Sequence, residues 1–168
     1  MTGLAELIGA RGHLSESEEL FRKTMENMRR ALGNEHPFLA YPLVGLAEVL
    51  LKKGEPREAR GLIDEALRIR KAELPDDHAM LAYARSVLGE CLTALGRYDE
   101  AEPLVLESYE RLKTVQGETG AETRKVLRRI IKLYEAWHAA DPNRGYAEKA
   151  AEWRAKLPKE ETAEATPP

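Results

Sequence analysis

The sequence predicts an all-α fold, a solenoid of antiparallel helical hairpins stacked along one chain. Apolar residues recur three and four positions apart, which places one apolar stripe along each helix. Gly12, Gly54 and Gly96 stand 42 residues apart. Other columns keep the same period, among them Leu20, Leu62 and Leu104, and Glu16, Glu58 and Glu100. A fixed period of this length is the signature of a stacked repeat architecture.

Two kinds of helix alternate in each period. We predict A helices at about 38–53, 80–95 and 121–138, and B helices at about 15–32, 56–73 and 98–115. A short A helix within 2–11 opens the chain, and a last helix over 146–157, ended by Pro158, closes it. One domain over 1–158 is therefore expected, with seven or eight helices and repeats at about 2–37, 38–79, 80–120 and 121–158. Residues 159–168 are charged and small, which predicts a disordered tail.

The expected helix ends carry suitable residues. The three glycines of the 42-residue column directly follow A helices, where a left-handed residue closes a C-terminus. Residues 15–18, Ser-Glu-Ser-Glu, offer a hydroxyl N-cap and first-turn acids to the first B helix. Pro56 suits the first turn of the second. In the last repeat His138 replaces the glycine, and a polar loop over 139–144 follows.

Composition limits the class of partner. The chain has 168 residues, 33% of them charged, and a net charge of -3, which argues against nucleic acid or an anionic membrane as the main partner. No apolar run approaches the roughly 20 residues that span a bilayer, and the start lacks the pattern of a secretory signal. We therefore expect a cytoplasmic protein.

The sequence offers little catalytic or metal-binding chemistry. His36 and His78 are repeat-equivalent loop residues, for which a loop-structuring or helix-capping role is favoured over metal binding. Cys91 is the one cysteine, which excludes an internal disulfide, and its column predicts a small buried residue. No nucleophile–base constellation is recognisable. We therefore expect no cofactor, no metal and no enzymatic activity.

The segment 96–104, Gly-Arg-Tyr-Asp-Glu-Ala-Glu-Pro-Leu, resembles the core of the tetratricopeptide repeat (TPR), in which a glycine, an aromatic residue and an alanine recur at set offsets. The common TPR period is 34 residues. The 42-residue form, with Leu-Gly-Asn-Glu-His-Pro over 32–37, resembles the kinesin light chain type. This resemblance covers nearly the whole chain. It implies a right-handed α-solenoid that binds a protein or peptide.

A narrower resemblance is to TPR regions attached to bacterial serine/threonine protein kinases. The segments 117–127, 133–137 and 149–157 carry it, including Trp137 and Trp153. It implies that the chain is a relative, or a fragment, of such a regulatory region. The chain itself has no Gly-rich phosphate loop, no His-Arg-Asp catalytic loop and no Asp-Phe-Gly.

In TPR-like stacks the A helices line a concave groove. Position by position, the resemblance implies a peptide-binding groove made of Tyr41, Val44, Glu48, Leu51, Tyr83, Ser86, Glu90, Thr93, Lys125, Arg128, Lys132 and Glu135. The basic patch at its C-terminal end suits a peptide with an acidic end.

Two simpler interpretations of these groove residues remain open. The basic residues of the last A helix, with neighbouring Arg124 and Arg129, are also explained as the solvated face of an amphipathic helix, since charged faces are the rule. Tyr41 and Tyr83 share a column and are also suited to packing between neighbouring hairpins.

The sequence therefore predicts a non-enzymatic scaffold or adaptor that binds protein or peptide. Three alternatives stay open. The first is the kinase regulatory fragment, and the second is an enzyme of repeat-like fold, which requires a pocket with converging titratable groups. The third is an assembly protein whose open N-terminal edge, left by the shortened first repeat, pairs with another copy. We expect Trp137 and Trp153 to seal the opposite end.

Overall fold

The computed structural model describes residues 2–158, and within them it contains eight α-helices, one 3₁₀ turn and no strand. The all-α prediction is confirmed. The predicted disordered tail, 159–168, lies outside the described residues. The helices are α1 (Thr2–Ala10), α2 (Leu14–Leu32), α3 (Ala40–Lys53), α4 (Pro56–Glu73), α5 (Ala79–Ala94), α6 (Tyr98–Gln116), α7 (Ala121–Ala140) and α8 (Tyr146–Arg154), and the 3₁₀ turn Pro37–Leu39 precedes α3.

The helices form a solenoid of antiparallel hairpins. The A helices are α1, α3, α5 and α7, and each is followed by its B helix. Each helix packs against the next in sequence, and successive A helices also contact one another. The A helices therefore form a continuous layer across the stack. Most helix ends lie within one or two residues of their predicted positions, and α8 ends three residues earlier.

The repeating glycines turn the chain from A to B helices. Gly12, Gly54 and Gly96 have φ angles of 89°, 80° and 74°. Residues other than glycine rarely adopt such a φ angle, because their Cβ atom clashes with the backbone. Their predicted left-handed conformation is confirmed.

The repeat-equivalent histidines cap helices. The backbone N–H of Met80 donates to His78 Nδ1 at 3.1 Å, at the start of α5. The backbone N–H of Phe38 donates to His36 Nδ1 at 3.3 Å, at the start of the 3₁₀ turn. Each imidazole satisfies an N–H that the helix itself leaves unpaired. The predicted capping role is confirmed for both residues.

The predicted hydroxyl N-cap within 15–18 is wrong. Helix α2 begins at Leu14, with His13 before it, and no side chain caps its first turn. Ser17 Oγ instead donates to the Ala5 carbonyl at 2.6 Å, in the buried contact between α1 and α2. Helices α1 and α2 approach each other closely here: a Cβ on Gly9 would lie 2.8 Å from Ser17 Oγ. The short first helix is therefore hydrogen-bonded to its hairpin partner.

The core follows the repeating columns. Phe21, Ile63 and Val105 occupy one column and are all buried. Two glycines let A helices approach these side chains: a Cβ on Gly89 would lie 2.5 Å from Val105 Cγ1, and one on Gly45 would lie 2.5 Å from the Phe21 ring. The hairpins are packed too tightly at these points to accept a larger residue without a shift.

Aromatic side chains cover the last hairpin. Trp137 stacks on Tyr146 with ring centroids 4.2 Å apart and on Tyr98 at 5.6 Å. Trp153 meets Tyr109 edge-on at 5.1 Å. As predicted, both tryptophans pack where α8 closes the described part of the stack.

Candidate ligand-binding groove

A cavity of about 660 Å³ opens on the A-helix side of the solenoid. All four A helices contribute to its lining, together with the Phe21 ring of α2. Helix α1 supplies a mainly apolar part that includes Leu7, a side chain half exposed to solvent. The charged lining residues are Glu6, Glu48, Lys52, Glu90, Lys125, Arg128, Arg129 and Lys132.

Arg129 of α7 links three A helices on the groove floor. Its guanidinium donates to the carboxylate of Glu48 on α3, and on α5 to Glu90 Oε2 and Ser86 Oγ, each at 2.9 Å. The residue is only 6% exposed. Burial alone would lower the pKa of Arg129, but nearby Tyr83 and the two glutamates outweigh it and raise the pKa. Arg129 therefore stays charged.

Tyr83 lies under this network and contacts both Glu48 and Arg129. Its hydroxyl donates to Glu48 Oε1 at 2.5 Å, and the Arg129 guanidinium lies 4.9 Å from the ring centroid. Lys125 Nζ lies over the same ring at 5.6 Å. Burial raises the pKa of the Tyr83 phenol. Tyr83 is therefore a packed and hydrogen-bonded residue between hairpins.

Tyr41, in the same repeat column, has a different environment. It is 49% exposed, its hydroxyl contacts the Met80 sulfur at 3.8 Å, and the Arg70 guanidinium lies 5.4 Å from its ring centroid. Arg70 is buried and donates to the Met80 carbonyl at 2.7 Å. One column thus contributes an exposed tyrosine from α3 and a buried one from α5.

Glu90 has two basic partners. Lys132 Nζ lies 2.9 Å from Glu90 Oε1, while Arg129 occupies Oε2. Burial alone would raise the pKa of Glu90, but the positive charges of Arg129 and Lys132 outweigh it and hold the pKa below its ordinary value. Glu90 is therefore ionised at neutral pH.

The structure brings five of the twelve predicted groove residues to the cavity lining. These are Glu48, Glu90, Lys125, Arg128 and Lys132. The three basic residues lie on α7, which forms one wall. Whether they bind a ligand stays a prediction.

Three other predicted groove residues are buried and do not reach the groove surface. Ser86 is covered by Arg129 and donates to the Tyr83 carbonyl at 2.6 Å. Thr93 Oγ1 donates to the Gly89 carbonyl at 2.8 Å within its own helix. Val44 belongs to the hydrophobic core. All three are buried and do not line the cavity, so their part in binding stays a prediction.

The remaining predicted residues lie outside the cavity lining. Leu51 is partly buried against the core, and Glu135 pairs with Arg154 of α8. Tyr83 lies under Arg129, and Tyr41 stands at the start of α3.

Sequence reasoning missed the central role of Arg129, which it grouped with the solvated face of its helix. A signal was present in the repeat. Arg129 stands 42 residues after Val87, which stands 42 after Gly45, and both of those residues are buried. A column that is buried in two repeats predicts burial in the third.

No other chemical centre emerges from the described residues. Cys91 is fully buried, and burial raises the pKa of its thiol to about 12, so the predicted apolar role is confirmed. Residues 2–158 hold no group of three or more His, Cys, Asp or Glu side chains placed to bind a metal ion. Among the helices described, none combines the length and apolar character needed to cross a membrane.

Antiparallel hairpins stacked around an open groove define the class of helical-repeat proteins. The sequence profile of the tetratricopeptide repeat family matches residues 1–72 and, in a second overlapping stretch, residues 41–114. Together these matches span residues 1–114 of 168. The chain belongs to the tetratricopeptide repeat family. No curated protein is similar enough in sequence to match the chain.

Solved structures agree on the fold. The putative kinesin light chain of Podosopora anserina, with nearly identical TPR-like repeats, is 21% identical with a TM-score of 0.60, and the match covers 98% of this chain and 75% of that one. A point-substituted form of the same protein is also 21% identical, with a TM-score of 0.62 and coverage of 96% and 74%. BtubC (BKLC) from P. vanneervenii is 22% identical with a TM-score of 0.64, covering 93% of this chain and 61% of BtubC.

At these identities the likeness concerns the fold, and this chain spans about three fifths of BtubC. The family match confirms the predicted TPR resemblance, and the kinesin light chain-like neighbours share its fold. The predicted association with bacterial kinases stays a prediction.

Proposed function

We propose that the chain is a non-enzymatic scaffold that binds an acidic segment of a protein or peptide in the groove between its A helices. TPR folds generally bind proteins or peptides and are generally non-catalytic. This chain adds a groove large enough for several side chains.

The observation that carries this proposal is the charge of the groove. Five basic and three acidic side chains line it, an excess of two positive charges in a chain whose net charge is -3. Glu48 and Glu90 are already engaged by Arg129. Lys125, Arg128 and Lys132 line the α7 wall. An incoming carboxylate therefore meets basic groups there.

The apolar lining of α1 supports a second contact. Leu7 lines the cavity and is half exposed, next to the small residues Gly3 and Ala10. An apolar side chain of the ligand would be removed from water against this surface. We expect the ligand to present its acidic group towards α7 and an apolar residue towards α1.

The proposal is tested by neutralising the wall, with Lys125, Arg128 and Lys132 all changed to Gln. The ligand is an acidic probe peptide, a short fluorescent peptide with one Leu followed by Asp and Glu. Because each exposed charge pair contributes up to about 1 kcal/mol, we expect binding to weaken by up to about fivefold for each basic residue that pairs with the peptide. Fluorescence anisotropy measures the affinity.

The matched control neutralises three exposed basic residues of the B helices, Lys23, Arg57 and Lys71. It removes the same net charge from the other face. Equal weakening by both triple variants would contradict the groove assignment. A peptide in which Asn and Gln replace the acids controls for apolar binding.

Self-association through the N-terminal edge is supported by one feature of α1. Leu4 and Leu7 stand one turn apart and are 55% and 50% exposed. We propose that a second copy packs on Leu4, which does not line the groove. Light scattering should then show a mass that rises with concentration, and Leu4→Lys should abolish the rise. A constant monomer mass would contradict this proposal.

The kinase-associated alternative rests on the resemblance of segments 117–127, 133–137 and 149–157. We propose it only as a second candidate, in which the chain is the regulatory repeat region of a bacterial serine/threonine kinase. The mass of the native protein, measured in extracts with an antibody against the repeats, decides it. A product with the mass of this chain alone would contradict it.

A further inference from the structure

We infer that Glu90 is an internal competitor for the acidic group of the ligand and acts through Lys132; this inference rests on the proposed groove function. The carboxylate of Glu90 has a separate partner on each oxygen. Lys132 Nζ lies 2.9 Å from Oε1, and Arg129 Nε lies 2.9 Å from Oε2. The groove thus already contains the kind of ion pair that an acidic ligand would make.

The two basic partners of Glu90 differ in the cost of breaking their ion pairs with it. The Arg129 side chain is 6% exposed, so its pairing cannot be broken without leaving a buried charge. The Lys132 side chain is 56% exposed, and water solvates it readily. If Lys132 leaves, Glu90 keeps Arg129. Lys132 is therefore the cation that transfers from Glu90 to a ligand carboxylate.

The size of this competition follows from the exposure of Lys132. Exposed lysine–carboxylate pairs contribute up to about 1 kcal/mol, which corresponds to about fivefold in affinity. A ligand that exchanges with Glu90 must first replace this interaction. Glu90 thus lowers the affinity of the groove for every acidic ligand. It favours ligands whose carboxylate takes the place of the Glu90 carboxylate in the ion pair with Lys132.

Glu48 provides the matched comparison. It also binds Arg129, but its other hydrogen-bond partner is the Tyr83 hydroxyl rather than a lysine, and Lys125 interacts with it only through space. Changing Glu48 or Glu90 to Gln removes one negative charge from the groove lining in either case. Only the change at Glu90 also releases Lys132.

The experiment measures the affinity of the acidic probe peptide by fluorescence anisotropy for Glu90→Gln, Glu48→Gln, Lys132→Gln and the double variant E90Q/K132Q. We expect E90Q to bind about three- to fivefold more tightly than the unaltered chain. E48Q should gain less. In the K132Q background the gain in affinity from E90Q should disappear. An undiminished gain there would overturn the inference, because it would show that removing any negative charge from the groove strengthens binding.

A second measurement uses the unaltered chain, in case a variant does not fold. A water-soluble carbodiimide joins a lysine amine to a carboxylate only when the two are in contact. Mass spectrometry of the digested protein should show a Lys132–Glu90 link without peptide. Added probe peptide should replace that link by one between Lys132 and the peptide.

The outcomes separate the two proposals. An unchanged Lys132–Glu90 link with bound peptide, or binding without the gain from E90Q, overturns the role of Glu90 alone. Absence of binding by the unaltered chain and by every variant contradicts the groove function, and the competitor role with it.

Discussion

The two faces of the solenoid carry the same kind of interaction at very different depths. On the outer face, Arg22 of α2 pairs with Glu58 of α4 at 2.7 Å. On the groove face, Arg129 of α7 pairs with Glu90 of α5 at 2.9 Å and with Glu48 of α3. All of these arginine–carboxylate pairs join different hairpins.

The exposed and the buried ion pairs contribute differently to stability. The Arg22 and Glu58 side chains are each 46% exposed, whereas that of Arg129 is 6% exposed. Exposed pairs contribute about 0–1 kcal/mol, since water and salt screen them. Removing one partner of a buried pair leaves an uncompensated charge, which costs far more. A repeated pattern of charges therefore does not imply a repeated energetic role.

The largest effect is expected at Arg129. Arg129→Met leaves Glu48 and Glu90 without their shared counter-charge, and we expect the free energy of unfolding to fall by about 3–5 kcal/mol. Lys132 offsets part of this loss at Glu90. Denaturant unfolding followed by circular dichroism measures the change. A loss below about 1 kcal/mol would show that the groove network contributes no more than a surface pair.

The fold was predictable because its evidence is repeated along the chain. The A helices α3, α5 and α7 and the B helices α2, α4 and α6 repeat in the same 42-residue register. The positive φ of Gly12, Gly54 and Gly96 follows from one rule applied three times. The cap within 15–18 failed because α2 begins earlier, at Leu14, so that both serines lie inside the helix. Ser17 instead donates its hydroxyl to the Ala5 carbonyl of the neighbouring helix.

The groove was less predictable for a physical reason. Family positions identify which side of a helix faces the groove, but the spacing between A helices decides which side chains stay at the surface. Ser86 and Thr93 lie on the predicted face and are enclosed. The sequence indicated the burial of Arg129 only through the buried residues at the same repeat position, Gly45 and Val87. Its partners on two other helices depend on the curvature of the stack, which the sequence pattern does not specify.

Overpacking tests the core beneath both faces. Ala101 is fully buried in α6, and a Cβ on Gly89 would lie 3.4 Å from its carbonyl oxygen. Ala101→Leu should lower the free energy of unfolding by about 1–3 kcal/mol, because the added atoms force α5 and α6 apart. Thermal unfolding measures the shift. Ala72→Leu, the same change at an exposed helical position, is the control, and equal melting of both variants would contradict this hairpin contact.

Acidification tests the contribution of the Glu90 charge to the groove network. The pKa of Glu90 lies below its ordinary value of 4.5, so the charged form stabilises the fold. This contribution is complete above pH 4.5 and is lost as the pH falls through the lowered pKa. Glu90→Gln should flatten the fall in unfolding free energy below that pH. Identical pH profiles for the variant and the unaltered chain would contradict the ionised pair with Arg129.

The smallest effect is expected on the outer face, where Arg22→Met repeats the Arg129 substitution on an exposed pair. Arg22 binds both Glu18 and Glu58, but all three side chains retain access to water. We expect a loss of no more than about 1 kcal/mol, and less in high salt. Denaturant unfolding at two salt concentrations measures it. A loss as large as that of Arg129→Met would mean that burial does not distinguish the faces, and the special position given to the groove network would no longer hold.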